Sequence, residues 1–319
     1  MTADLKTGGP GAPAPRVTRP TPKASKRAHR RWDLTGILFL LPYLLLLLVF
    51  GLGPAGYSVF QSFVDERGGT GDVGFGNYAH VFADFRFWPA VGNVALYLGI
   101  WLPIMVFGVL VLALMLHDRA SRFSGAMRLV FFLPGAVTGS ASVLLWYCML
   151  EPSLSPFGAG LRAMGFTSGN DVFANDNLVV VFAVIAFVTG AGQWIVIMYG
   201  ALQNIPDELL EAAQLDGAGP LRTALLIKLP LVTKYVLYMV ILSLANGLQL
   251  FVEPQLIYGI TRSAGSPWWS LNQFGYALAF QTGDFGSAAV ISMLLLVLCA
   301  GAGIVLIRRT DFLSTEAAR

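Results

Sequence analysis

Two groups of residues have types and spacings suited to chemistry. The first is Ser243, Asn246, Gln249 and Glu253, set inside an otherwise apolar run. Separations of 3, 3 and 4 residues place them on one face of a helix. Hydroxyl, amide and carboxylate groups are costly in such a run unless they face a water-filled path or another helix. Both readings stay open, the wall of a solute path and hydrogen bonding between helices. For Glu253, which precedes Pro254 near the outer end of the run, a structural or pairing role is open too. Asn93, Tyr97 and Trp101 recur every four residues in another apolar run, and Gln193, Trp194 and Tyr199 gather in a third. Aromatic faces beside amides suit sugars, whose C–H faces stack and whose hydroxyls need donors and acceptors. The same residues suit ordinary helix packing.

The second group is a polar stretch, 204–230, which begins Asn204-Ile-Pro-Asp-Glu-Leu-Leu-Glu-Ala-Ala-Gln-Leu-Asp-Gly-Ala-Gly-Pro220. Pro206 suits a first helical turn, where its missing N–H is not needed. Asp207 and Glu208 suit the positive end of the helix dipole. Leu209, Leu210, Ala212, Ala213 and Leu215 favour the helix, and Gly217 and Gly219 end it. A short amphipathic helix, a sharp turn and a second helix running to Pro230 are therefore expected. A helix this short is marginal alone and must pack against something.

Other chemistry finds no support. His29, His80 and His117 fall outside the apolar runs, and no cluster of His, Asp and Glu suits a metal or a proton relay. The two cysteines, Cys148 and Cys299, sit in apolar runs with no CxxC and read as small packed residues. A phosphate-binding Walker A loop needs Gly-Lys-Ser/Thr, and none of the five lysines follows a glycine. No catalytic residue, metal ligand, cofactor or nucleic-acid partner is expected.

The elements that hold these groups are apolar. Of 319 residues, 55% are hydrophobic and 12% charged, half the roughly 25% of a soluble domain. Mean hydropathy is +0.66. The apolar runs are about 35–60, 91–116, 129–150, 178–202, 235–259 and 287–307. Each is long enough, at about 18 residues or more, to cross the hydrocarbon of a bilayer, so an all-α membrane protein with six transmembrane helices is expected. The mixed segment 77–89, with Phe82, Phe85, Phe87 and Trp88, reads as a helix at the interface. With the N-terminus inside, 17 of the 21 Lys and Arg residues lie on the cytoplasmic side and 4 outside. The positive-inside rule therefore places both termini in the cytoplasm. The division reads as a disordered basic tail (1–31), a first span and outer loop (32–90), a core holding five spans and the loop 204–230 (91–309), and a cytoplasmic C-terminal tail (310–319). The basic segment before a long apolar run, without a small-x-small cleavage site, reads as an uncleaved first span, and its charges can touch anionic lipid.

The loop resembles the coupling motif of permease subunits of ATP-binding-cassette (ABC) importers. That family pattern is Glu-Ala-Ala, three residues, Gly, nine residues, Ile, one residue and Leu-Pro; Glu211, Ala212, Ala213, Gly217, Ile227, Leu229 and Pro230 match every position. Asp216 and Ala218 around Gly217, with Gln203, Ile205 and Pro206 upstream, match the longer form of the carbohydrate-uptake, binding-protein-dependent branch. Asn77 and Tyr78, Phe132 to Pro134, and Phe285 and Gly286 are also similar. The stretch 260–267 matches the branch's Thr-x-Gly-Gly-Pro segment only loosely, which weakens the substrate assignment more than the family. The resemblance implies a type I importer permease fold in the cell membrane. It implies a docking helix for a dimer of separate ATPase subunits, a second homologous permease and an extracytoplasmic solute-binding protein. The small-molecule solute would be a sugar or oligosaccharide, or another polar solute such as glycerol 3-phosphate. A polyamine would want more acids along the spans than Glu253. An ion-coupled secondary transporter would show internal repeats and coupling acids instead, and a membrane enzyme would need a catalytic cluster.

Overall fold

The computed structural model describes residues 34–65, 67, 71–118, 122–137, 139–261 and 265–309. The tails expected at 1–31 and 310–319 lie outside the described residues, as do His29 and Arg262. The chain divides into two units, one ending at Gly53 and one running from Pro54. The first contributes α1 (Leu34–Leu46), with Pro42 inside it, and the π-helical turn Leu47–Leu52.

The second unit is nearly all helix. It holds α2 (Gly53–Phe63) from Pro54 onward and a two-stranded antiparallel ribbon, β1 (Val64–Asp65) and β2 (Asp72–Val73), in the register Val64 to Val73 and Asp65 to Asp72. Next come α3 (Gly76–Ala83), α4 (Phe87–Asp118), α5 (Arg122–Ala136), α6 (Gly139–Leu150), α7 (Gly158–Ala163) and α8 (Gly169–Val172). Then follow α9 (Asn175–Gln203), α10 (Asp207–Leu215), α11 (Pro220–Thr223), a π-helical turn Ala224–Lys228 and α12 (Leu229–Leu248). The chain closes with α13 (Val252–Thr261), α14 (Leu271–Gln281) and α15 (Phe285–Arg309).

Among the described residues, five stretches are long and apolar enough to cross a membrane: Leu38–Phe63, Phe87–Asp118, Asn175–Gln203, Pro220–Thr261 and Phe285–Arg308. The third apolar run of the sequence differs from the straight span expected of it. It forms two helices, α5 and α6, bent by 107° where they meet, and makes the sixth span only if that pair is counted as one.

The main core lies between α4 and α9 and is filled by Met105, Val109, Phe182, Ile195, Met198 and Met239, all buried. Membrane helices gain little from hydrophobic association, because lipid is as apolar as leucine; close backbone packing through small residues replaces it. At Gly192 of α9 an added Cβ would lie 2.1 Å from the Phe131 carbonyl oxygen of α5. Any larger residue there would force the two helices apart.

A smaller cluster packs α14 and α15 against α3 and the start of α4, around Val81, Phe87, Phe274 and Ile291. It also joins two fragments far apart in sequence, since Gly286 leaves room for the Asn77 amide, which a Cβ would meet at 2.5 Å. Arg86 seals this end. It pairs with Asp84 at 2.7 Å and lies 5.0 Å from the centroid of the Phe274 ring. Hydrogen bonds from the Arg86 side chain hold the Asp84 carboxyl below the usual carboxylate range.

Candidate functional site: a polar cavity and a cytoplasmic turn

The cavity forms where the helix of the fifth apolar run breaks. α12 ends at Leu248, residues 249–251 are unwound, and α13 begins at Val252. Ser243, Asn246, Gln249 and Glu253 are therefore not a stripe on one continuous helix, as their spacing predicts. The break still brings all four to one place. They line a cavity of about 280 Å³ together with Tyr97, Trp101, Gln193 and Trp194. A neighbouring cavity of about 300 Å³ shares Thr189, Gly190, Gln193 and Glu253 with it.

Unwinding inside an apolar span frees backbone groups that must find partners. Ser270, fully buried at the start of α14, meets this need. Its hydroxyl donates to the Leu250 carbonyl at 2.7 Å and accepts from the Gln273 N–H at 3.2 Å, so one oxygen caps α14 and holds the break. The Asn272 amide donates to the Gln249 carbonyl at 2.9 Å. Gly247, one residue before the end of α12, lets the helix lie against Trp101, whose ring an added Cβ would meet at 2.9 Å.

Tyr97 and Trp101 are stacked, with centroids 5.4 Å apart and ring planes 9° apart. The Trp101 indole Nε1 is buried without a hydrogen-bond partner. Asn93 does something else: its amide donates to the Trp269 carbonyl at 3.1 Å, and it lines neither cavity. Of the amides read from the sequence as pathway groups, Asn93 is the one with a purely internal contact. Thr189 and Met105 join the cavity walls without a signal in the sequence that sets them apart.

The turn after α10 is built locally. Pro206 is the N-cap residue rather than the first helical one, and Asp207 and Glu208 occupy the first turn. At the other end Gly217 takes a φ of +76°, a left-handed conformation that favours glycine. The Gly217 N–H donates to the Gln214 carbonyl at 3.0 Å and the Ala218 N–H to the Ala213 carbonyl at 2.9 Å, the two bonds of a Schellman motif. Ala213 is the residue of α10 that is buried; Glu211, Ala212 and Asp216 are exposed.

Beyond the turn the second helix does not stop at Pro230. Pro230 occupies the first turn of α12, where no N–H is needed, and the winding runs from Pro220 straight into the span. Leu215 is 89% and Leu221 73% exposed. Leu221, Leu225 and Leu226 line an apolar hollow of about 530 Å³ with Gly219, Pro220 and Arg222.

Lys228, in the π-helical turn, is a functional candidate that the sequence does not single out. Its side chain is 7% exposed, and its ammonium pairs with Asp118 and lies 3.1 Å from His117 Nδ1. His117 belongs to the last turn of α4, not outside the helix as its position after the apolar run suggests. Ile227 and Leu229 flank the lysine, so the turn is tied to the end of α4 at this one charged point.

Residues 73–309 match the family of binding-protein-dependent transport system inner membrane components. The chain belongs to that family. This permease is 32% identical over 271 residues to the probable ABC transporter permease protein YurN of Bacillus subtilis (strain 168), covering 82% of the chain and 90% of YurN. It is 29% identical to the lactose transport system permease protein LacF of Rhizobium radiobacter, covering 85% of the chain and 92% of LacF. Its fold superimposes with a TM-score of 0.72 on a chain of a bacterial ABC transporter involved in the import of the acidic polysaccharide alginate, at 20% identity, over 88% of this permease and 97% of that chain. The type I importer permease fold and the multi-pass membrane character follow from these matches.

Proposed function

We propose that this permease is the translocation subunit of an ATP-driven importer that carries a sugar or an oligosaccharide. The observation that carries the reading is the turn at Gly217. A short helix ends in a left-handed glycine and presents Glu211 and exposed leucines, and the helix that begins after the turn at Pro220 runs without interruption into a span that borders a polar cavity. A separate ATPase dimer would dock against α10 and the leucine-lined hollow beside it. Glu211, Ala212, Ala213, Asp216 and Gly217 would form the contact, with Ile227, Leu229 and Pro230 setting the entry of the span. ATP hydrolysis would belong to that partner. A second homologous permease would complete the pathway, and an extracytoplasmic solute-binding protein would deliver the solute.

Ser243, Asn246, Gln249, Glu253, Tyr97 and Gln193 are the proposed pathway residues; Asn93 serves the packing of the outer end. Support for a saccharide comes from amides and stacked aromatic rings on one cavity and from the lactose system to which LacF belongs. The bias of Lys and Arg supports cytoplasmic termini. Residues 1–31 and 310–319 are proposed as cytoplasmic tails around a first span with its outer loop (32–90) and a core (91–309). The test is reconstitution in proteoliposomes. Uptake that requires both ATP and the ATPase subunits is expected; uptake driven by an ion gradient without them would overturn the reading.

A further inference from the structure

Lys228 is a buried cation on the helix that runs from Pro220 to Leu248. Ala224, Lys228 and Val232 are buried at intervals of four residues, so the lysine belongs to the row that faces the core. Its ammonium pairs with Asp118, the last residue of α4, and His117 Nδ1 accepts from it at 3.1 Å. The end of α4 is itself anchored. The His117 ring meets Tyr199 of α9 edge-on, with centroids 6.0 Å apart, and the Arg128 guanidinium of α5 lies 3.9 Å from the Tyr199 centroid. The Ser124 hydroxyl of α5 donates to the Leu116 carbonyl at 2.8 Å.

The lysine sits where its helix is least regular. The Leu229 N–H donates to the Ala224 carbonyl, five residues back, and Pro230 has no N–H to offer. About 28 Å further along, at 1.5 Å per residue, Gly247 lies against the Trp101 ring of α4. The helix thus meets α4 through an ion pair at one end and close packing at the other. The core between them is apolar, and lipid can replace such contacts at little cost. The ion pair differs, because parting it strands a buried ammonium. No other ion pair joins these two helices among the described residues. Both helices carry cavity wall, Tyr97 and Met105 on α4 and Ser243 and Asn246 on α12.

We infer that the Lys228–Asp118 pair is a clasp that makes α4 travel with the Pro220–Leu248 helix, with Lys228 a positioning residue for coupled transport. The inference rests on the proposed ATP-driven import and adds a sideways link to it. The test uses the complete importer in proteoliposomes, with Cys148 and Cys299 replaced by alanine. Spin labels at Met115→Cys and Leu231→Cys, both exposed positions, report the separation of the two helices without nucleotide and with ATP and vanadate. The separation should stay constant in the otherwise wild-type chain. In Lys228→Met, which keeps the apolar stem, it should shift on ATP by about 2 Å, the scale of a helix sliding on its neighbour. Asp118→Asn should give the same shift and serves as the second variant should Lys228→Met fail to insert. The two changes together should shift it no further than either alone. Without the label cysteines, Lys228→Met should also lower uptake per ATP hydrolysed about tenfold, read with labelled lactose and a panel of other neutral disaccharides. A fault of folding alone would lower uptake and hydrolysis together. A separation that shifts on ATP with the clasp intact would overturn the inference and leave import standing. So would one that stays constant in both variants, additive shifts in the double variant, or wild-type uptake per ATP in Lys228→Met. No ATP-dependent uptake of any disaccharide by the wild-type importer would overturn the inference and the import reading together.

Discussion

The turn around Gly217 closes its backbone hydrogen bonds within six residues, whereas the cavity wall is lined by residues from four separate helices. The Schellman bonds run from Gly217 and Ala218 to Gln214 and Ala213. The break at 249–251 depends on Ser270 and Asn272, which reach it from α14. A locally closed turn keeps its shape while it meets a partner. A wall held from a distance changes when the helices that hold it move, as a solute path that opens and closes requires. The proposed sites of force transfer and of solute passage thus sit on opposite kinds of construction.

The comparison is tested most severely at the turn. Gly217→Pro and Glu211→Lys should each abolish ATP-coupled uptake while the chain still inserts, read as uptake against membrane content. Normal uptake in both would remove the turn from the coupling path. At the cavity the effect is smaller and of another kind. Asn246→Ala or Gln193→Ala should lower uptake about tenfold while ATP hydrolysis by the complex still responds to loaded binding protein. Loss of that response would mean that the two regions are not separable.

Ser270→Ala removes a cap and a bond to a freed carbonyl at once. It should cost about 1–3 kcal/mol of stability, measured by denaturation in detergent, together with part of the uptake. Asn93→Ala should cost about 1 kcal/mol and leave solute preference unchanged. The smallest effect concerns pH. Hydrogen bonding to Arg86 lowers the pKa of Asp84, so the pair contributes fully above the unfolded carboxylate value of about 4. That contribution is lost as pH falls through the lower folded value. Arg86→Gln should flatten this acid limb of the stability curve, and an unchanged limb would assign it to other carboxylates.

The helix and turn around Gly217 were legible because their signals are local. Pro206, Asp207 and Glu208 start α10, and Gly217 stops it, each acting through its own backbone. The long spans were legible from length and apolarity alone. The cavity was legible only in part. Spacing grouped Ser243, Asn246, Gln249 and Glu253 correctly but on the wrong scaffold, because nothing at 249–251 is a helix breaker by type. Gly247 and Pro254 flank the break: Pro254 lacks the N–H that would bond the Leu250 carbonyl in a continuous helix, and the Ser270 hydroxyl, about twenty residues away, supplies the donor instead. Lys228 escaped for a related reason. A lysine in a polar loop reads as solvated, and its burial depends on Asp118 and His117 at the end of another helix.

The uninterrupted winding from Pro220 to Leu248 has a mechanical consequence. At about 1.5 Å per residue it reaches roughly 40 Å, close to the full thickness of a bilayer with its headgroups. It is a strut with a joint at each end, the glycine turn below and the unwound residues 249–251 above. In the proposed coupling role, a displacement imposed on the lower joint would reach Gln249 as a movement of the rod, whose one irregular stretch is the π-helical turn Ala224–Lys228. In that role, no relay of side chains would be needed to carry the displacement across.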